Sequence, residues 1–155
     1  MSSIATSSSI VRSPSVSRAS RAVNWGRFTR RGLATVAASV LANVLVYFIG
    51  SALTHYDPQF LPLADVSGAI IFTLTFAIAA VLVYAPILRF TRNPEIVYTV
   101  VAAFVFIVTL IPDIIYIPTV PGATIGQTAI LVLMHVVAAV VIVRMLTTFG
   151  RSQAR

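Results

Sequence analysis

The 155-residue chain contains no cysteine and no lysine, and only four of its residues are acidic. Without cysteine there is no disulfide framework, no thiolate metal site and no thiol redox chemistry, and the redox state of the compartment leaves no mark on the sequence. Charge of either sign is scarce. Charged residues make up 10% of the chain, hydrophobic residues 58%, and the mean hydropathy is +0.96. A water-soluble domain carries roughly a quarter of its residues charged, so this composition is that of an integral membrane protein. All eleven basic residues are arginine and the formal net charge is +7. In a soluble protein such a balance points to nucleic acid. Here the arginines lie at the two ends and in one short loop, where a bilayer accounts for them, and no nucleic-acid partner is expected.

What the chain has in quantity is long apolar runs. Residues 33–54, 66–88, 95–116 and 125–147 each read as a membrane-spanning helix. A run of about 22 residues covers about 33 Å at the helical rise, enough for a hydrocarbon core of roughly 30 Å. In the first run Thr35, Ser39, Asn43, Tyr47 and Ser51 recur every fourth residue, with Ala34, Ala38 and Ala42 beside them. Such a strip marks a face turned toward other helices, because lipid rewards neither polar nor small residues. Asp65 or Ser67 can cap the second span, and Pro86 is expected to kink or end it. Asn93-Pro94-Glu95 reads as the start of the third. Its uninterrupted apolar run, 96–111, covers only about 24 Å. The helix is therefore expected to continue through Pro112 and Asp113 to Tyr116 with a kink. The alternative is an end at Ile111. Pro118, Pro121 and Gly122 make 117–123 a turn, and Thr124 or Gly126 opens the fourth span.

Residues 1–31 are a different material: rich in serine and arginine, without an acid, and expected to form a disordered tail. An organellar transit peptide has the same composition and stands as the alternative. Residues 32–149 form the transmembrane domain and 150–155 a polar C-terminal tail. Four spans put both tails and the turn bearing Arg89 and Arg92 on one side, with Arg144 snorkelling to it, while Asp57, Asp65 and Asp113 fall on the other. By the positive-inside rule the arginine side is cytoplasmic. The expected fold is thus all-α: a polytopic membrane protein of four transmembrane helices in an antiparallel bundle, N and C termini cytoplasmic.

Polar side chains within a bilayer are costly and are candidates for function. Asn43 and His135 each lie about eleven residues into their spans, so both sit near mid-bilayer, and a direct hydrogen bond between them is geometrically open. His135 is then either a proton- or ligand-binding group or half of an interhelical clamp, and the clamp ranks first. Asp113, near the outer end of the third span, is a weaker outer-side candidate, and its reading as an ordinary interface carboxylate ranks first. His55 and Asp57 supply only two ligands where zinc takes three or four, so no metal and no cofactor are expected. There is no Gly-x-Ser-x-Gly, no His-Glu-x-x-His, no phosphate-binding glycine loop and no paired carboxylates, so no enzyme is expected either.

Asn43 in the first span, the arginine-bearing turn before Asn93-Pro94, and Ala129-Ile130-Leu131-Val132-Leu133-Met134-His135 running into Val136-Val137-Ala138-Ala139 carry a resemblance. Over residues 33–148 the chain resembles a family of small bacterial four-helix membrane proteins, common in actinobacteria and classed as a domain of unknown function. The resemblance implies a bacterial plasma membrane and brings no activity or catalytic residue. The expected function is that of a non-enzymatic structural or accessory membrane component, its partners the bilayer and anionic lipid at the arginine-rich N-terminal tail. The first alternative is a small transporter or proton-linked protein using Asn43 and His135. A lipid-acting enzyme comes third, without a motif. Homo- or hetero-oligomers are compatible with the pattern, which does not choose between them.

Overall fold

The computed structural model describes residues 24–154, with side chains described as far as Thr148. The expected tail at residues 1–23 lies outside the described residues. Among the described residues every element is helical: α1 (Trp25–Thr54), a short α2 (Leu61–Ala64), α3 (Val66–Phe90), α4 (Pro94–Ile115), a 3-10 turn at Ile117–Thr119, and α5 (Ile125–Ala154). Four segments among the described residues are long and apolar enough to cross a membrane: Trp25–Thr54, Val66–Phe90, Pro94–Thr119 and Ile125–Thr148.

Local chemistry sets the ends. Asn24 caps α1, its Oδ1 accepting from the Arg27 amide at 3.0 Å, a kind of contact worth about 1 kcal/mol. His55 closes the helix in the left-handed region (φ 46°), its amide donating to the Ser51 carbonyl, so this histidine serves as a C-cap. Asp57 accepts from the Gln59 amide at 2.8 Å. Asp65 caps α3 through the Ser67 amide at 2.7 Å, and the Ser67 hydroxyl first and this amide second hold its carboxyl below the usual carboxylate range. At the start of α5 the Thr124 hydroxyl accepts from the Gln127 amide at 3.2 Å while Gln127 Oε1 accepts from the Thr124 amide at 3.3 Å. This is a reciprocal capping box.

Several sequence expectations shift. Helix α1 begins at Trp25, so the last seven residues of the expected tail are helical, and α5 runs on through the expected polar tail to Ala154. Hydropathy marks only the part of a helix that lipid covers. Arginine is a good helix former, and water satisfies the polar turns beyond the bilayer. The third span does pass through Pro112, and α3 passes through Pro86 to Phe90. The loop at 55–64 holds the unforeseen α2, whose Leu63 is fully buried with Phe60 beneath α1 and α5.

Helix α1 packs along α5 and α3, and α5 packs along α4. The inward side of α1 is the four-residue strip, with Thr35, Ser39, Asn43 and Tyr47 buried. Helices α3 and α4 meet chiefly near their shared turn, where the Tyr84 and Tyr98 rings lie 4.8 Å apart. The four spans therefore form a bundle open on one side. Close approach of α1 and α5 depends on Gly50, where an added Cβ would stand 2.7 Å from Ile130 Cγ2 and nearer still to the Tyr56 hydroxyl.

Two outcomes follow from this packing. Gly50→Ala should destabilise the protein by about 1–3 kcal/mol, seen as a lower melting temperature in detergent. Gly68→Ala, whose Cβ meets nothing nearer than 3.6 Å, should leave the melting temperature unchanged or slightly raised. The Tyr56 hydroxyl, which donates to the Tyr47 carbonyl at 2.9 Å, is pushed up to about 12 by burial first and by Tyr47 second. A raised phenol contributes stability that is complete below about pH 10 and is lost as pH rises through about 12. Melting temperature should fall across that window, and Tyr56→Phe should flatten the fall.

Candidate intramembrane polar site

Most hydroxyls in the spans are accounted for within their own helices. Thr35, Ser39, Thr75, Thr99 and Thr147 each donate to the carbonyl four residues back, which satisfies a polar group without a partner helix. Tyr47 reaches outward, donating to the Leu63 carbonyl at 3.1 Å and tying α2 to α1. After the caps and these back-bonds are set aside, buried Tyr84 and Tyr98 and Gln127 Nε2 remain toward the span ends, and Asn43, Asp113 and His135 remain deeper inside.

Asn43, on the buried strip of α1, does not bond His135. Its Nδ2 donates to Thr73 Oγ1 of α3 at 2.8 Å, and its Oδ1, fully buried, has no partner among the described residues. The expected link fails because α1 turns Asn43 toward α3, where Thr73 is the nearest buried acceptor. Thr73 had no singled-out role in the sequence. Counting depth does not single it out: Thr73 is seven residues from the start of α3 and Asn43 eleven from the end of α1, which leaves them about 6 Å, one helical turn, apart in level.

His135 instead meets Asp113, with Nδ1 2.9 Å from Asp113 Oδ2 and 3.3 Å from the Leu131 carbonyl. Nδ1 is assigned the hydrogen toward the Leu131 carbonyl, while Asp113 Oδ2, close as it is, has no hydrogen-bond partner among the described residues. Nε2 has no partner among the described residues. Asp113 is only 7% exposed, which corrects its reading as an interface carboxylate. His135 is ten residues, or about 15 Å, along α5 from Ile125, and Asp113 is held level with it. The segment after α4 explains this depth. It packs half-buried Ile117, Val120 and Ala123 against Phe60, Leu63 and Met134, while Pro118, Thr119 and Pro121 stay exposed.

Asn43, Thr73, Asp113 and His135 all line one cavity of about 520 Å³, the gap left where α3 and α4 diverge. Its walls are apolar, with Phe76, Ala80, Val105, Ala139 and Ile142 among them. Phe72, Phe76 and Val105 are also among the outward-facing apolar residues, so the cavity opens sideways, where acyl chains would lie. The polar atoms that remain available at its wall are Asn43 Oδ1, the Asp113 carboxyl and His135 Nε2. Among the described residues no three of His, Asp and Glu are grouped as metal ligands would be.

The two contacts can be weighed separately. A double-mutant cycle of Asn43→Leu and Thr73→Val should return a coupling near 0.6 kcal/mol, the average for such bonds in membrane proteins. It would be read from unfolding of the purified protein, and a coupling above about 2 kcal/mol would mean that Asn43 does more than hold α3.

No curated protein and no solved structure matches the chain. Residues 23–152, which include all four spans and every residue of the cavity, match one protein family, and the chain accordingly belongs to the family of unknown function DUF6069.

Proposed function

We propose that the protein is a non-enzymatic membrane component that takes an amphiphilic molecule from the bilayer into the cleft between α3 and α4. The carrying observation is an apolar cavity of about 520 Å³ whose one polar region holds a buried carboxyl beside His135 and an unpartnered Asn43 oxygen. A buried polar atom without a partner costs free energy that a ligand can return. Asn43 Oδ1 and the Asp113 oxygens accept hydrogen bonds, so the favoured ligand presents a donor, an ammonium or a hydroxyl, on an apolar tail. Orientation with both ends in the cytoplasm of a bacterium, across its plasma membrane, is part of the same reading. It is supported by Arg27, Arg30, Arg31, Arg89, Arg92 and Arg144, which all lie near the same ends of the spans.

With the chain in lipid nanodiscs, dodecylamine and dodecanol should raise the melting temperature and dodecanoate should not. Asp113→Asn should weaken the amine by about tenfold to a hundredfold, as the loss of a hydrogen bond to a charged group would, and Ala79→Trp should abolish both effects. Equal responses to amine and carboxylate would sink the proposal. Orientation is checked by an impermeant thiol reagent on intact cells: Gln59→Cys should label and Ser152→Cys should not.

A second reading, proton-linked transport, gains from the depth of Asp113, because an acid and an imidazole 2.9 Å apart within the spans can pass a proton. It requires flux in proteoliposomes that depends on pH and disappears in His135→Ala.

A further inference from the structure

Far from the cleft polar groups, a second cavity of about 630 Å³ lies between the start of α1 and the end of the fourth span. Arg27, Arg30, Arg31 and Ala34 line it from α1, at the i, i+3, i+4 and i+7 spacing of one helix face, and Arg144 and Met145 face them from α5. Among the described residues that line it there is no carboxylate. The positive end of the α1 dipole, at Trp25, adds to the same potential.

Arg144 is the informative member. It sits one turn inside the apolar span that ends at Thr148, where a guanidinium must reach back to the interface. Arg144 is exposed, on the side of α5 opposite buried Ile142 and Leu146, and there it lines the pocket together with the arginine face of α1. Converging like charges repel, and at the membrane boundary an anion relieves the repulsion. Exposed Trp25, an interfacial residue, and exposed Leu33 bracket the pocket along α1. The pocket therefore stands at phosphate level, with apolar surface for acyl chains directly beyond it.

We propose that this pocket binds the phosphate group of an anionic phospholipid, with Arg27, Arg30 and Arg144 gripping the phosphate oxygens and Met145 and Ala34 meeting the glycerol and first methylenes. Arginine suits the role because its planar fork matches phosphate oxygens two at a time. The site is separate from the cleft and stands whether or not the cleft binds an amphiphile.

The full chain is reconstituted in phosphatidylcholine nanodiscs that contain a minor fraction of phosphatidylglycerol, and the lipid it retains on release is read by native mass spectrometry. Phosphatidylglycerol should be enriched over its bulk fraction. Combining Arg27→Gln with Arg144→Gln should cut that enrichment by on the order of tenfold, with an unchanged melting temperature showing the fold intact. Arg89→Gln with Arg92→Gln, equal in charge and outside the pocket, should leave the enrichment in place. Arg144→Lys separates fork recognition from charge and should retain only part of it. An absence of enrichment, or equal loss in the two double variants, overturns the proposal by reducing it to general attraction. Displacement of the lipid by millimolar inorganic phosphate overturns the lipid as ligand and makes the site one for a soluble phosphate.

Discussion

A carboxyl held 2.9 Å from an imidazole, well inside the apolar part of the molecule, is the contact around which the rest is arranged. Neither group can be left alone there, since hydrocarbon offers no water to either. Bringing them level obliges α4 to end while α5 still has ten residues to run before His135. The intervening stretch lies against the bundle, with Ile117, Val120 and Ala123 half-buried on Phe60 and Leu63 and with Pro118, Thr119 and Pro121 exposed. Helix α4 is anchored to α5 along its length and drawn away from α3, and the cleft is what that leaves.

Much of the architecture could be read from residue order, and the reason is physical. A bilayer imposes length, hydropathy and charge asymmetry on contiguous segments, so the four spans and the common side of the arginines are properties of local sequence. Partner choice is not local. Asn43 was recognisable as an intramembrane polar group, yet its bond to Thr73 depends on how α1 is rotated against α3. Asp113 was placed by counting toward the nearest membrane surface, a count that assumes the chain leaves the bilayer when the helix ends. The one local sign against that assumption was the apolar character of a turn otherwise marked by Pro118, Pro121 and Gly122. The arginine pocket was equally hidden, because residues 27–31 and Arg144 are more than a hundred positions apart and only the pairing of α1 with α5 joins them.

The two proposed sites divide the molecule's polarity. Acceptor atoms collect beside the cleft, and donors collect at the arginine end, so one protein presents opposite demands to the two halves of the bilayer. The polar strip of α1 runs between these regions. Its threonine and serine hydroxyls are closed onto their own helix, and its Asn43 amide binds a neighbour. That strip supplies close packing without offering a continuous row of open polar groups from one end to the other.

The sideways mouth between α3 and α4 has a consequence for how occupancy must be expressed. A molecule that enters through it comes from the two-dimensional lipid phase, where an alkyl chain gains about 0.8 kcal/mol per methylene by partitioning. Saturation is then governed by the mole fraction of ligand per lipid. Diluting the membrane at fixed total ligand empties the cleft, whereas a larger aqueous volume scarcely changes it for a strongly partitioned chain. A dissociation constant for a ligand of this cleft accordingly belongs in units of surface density, and one total amount of ligand fills the site to different extents as the amount of lipid is changed.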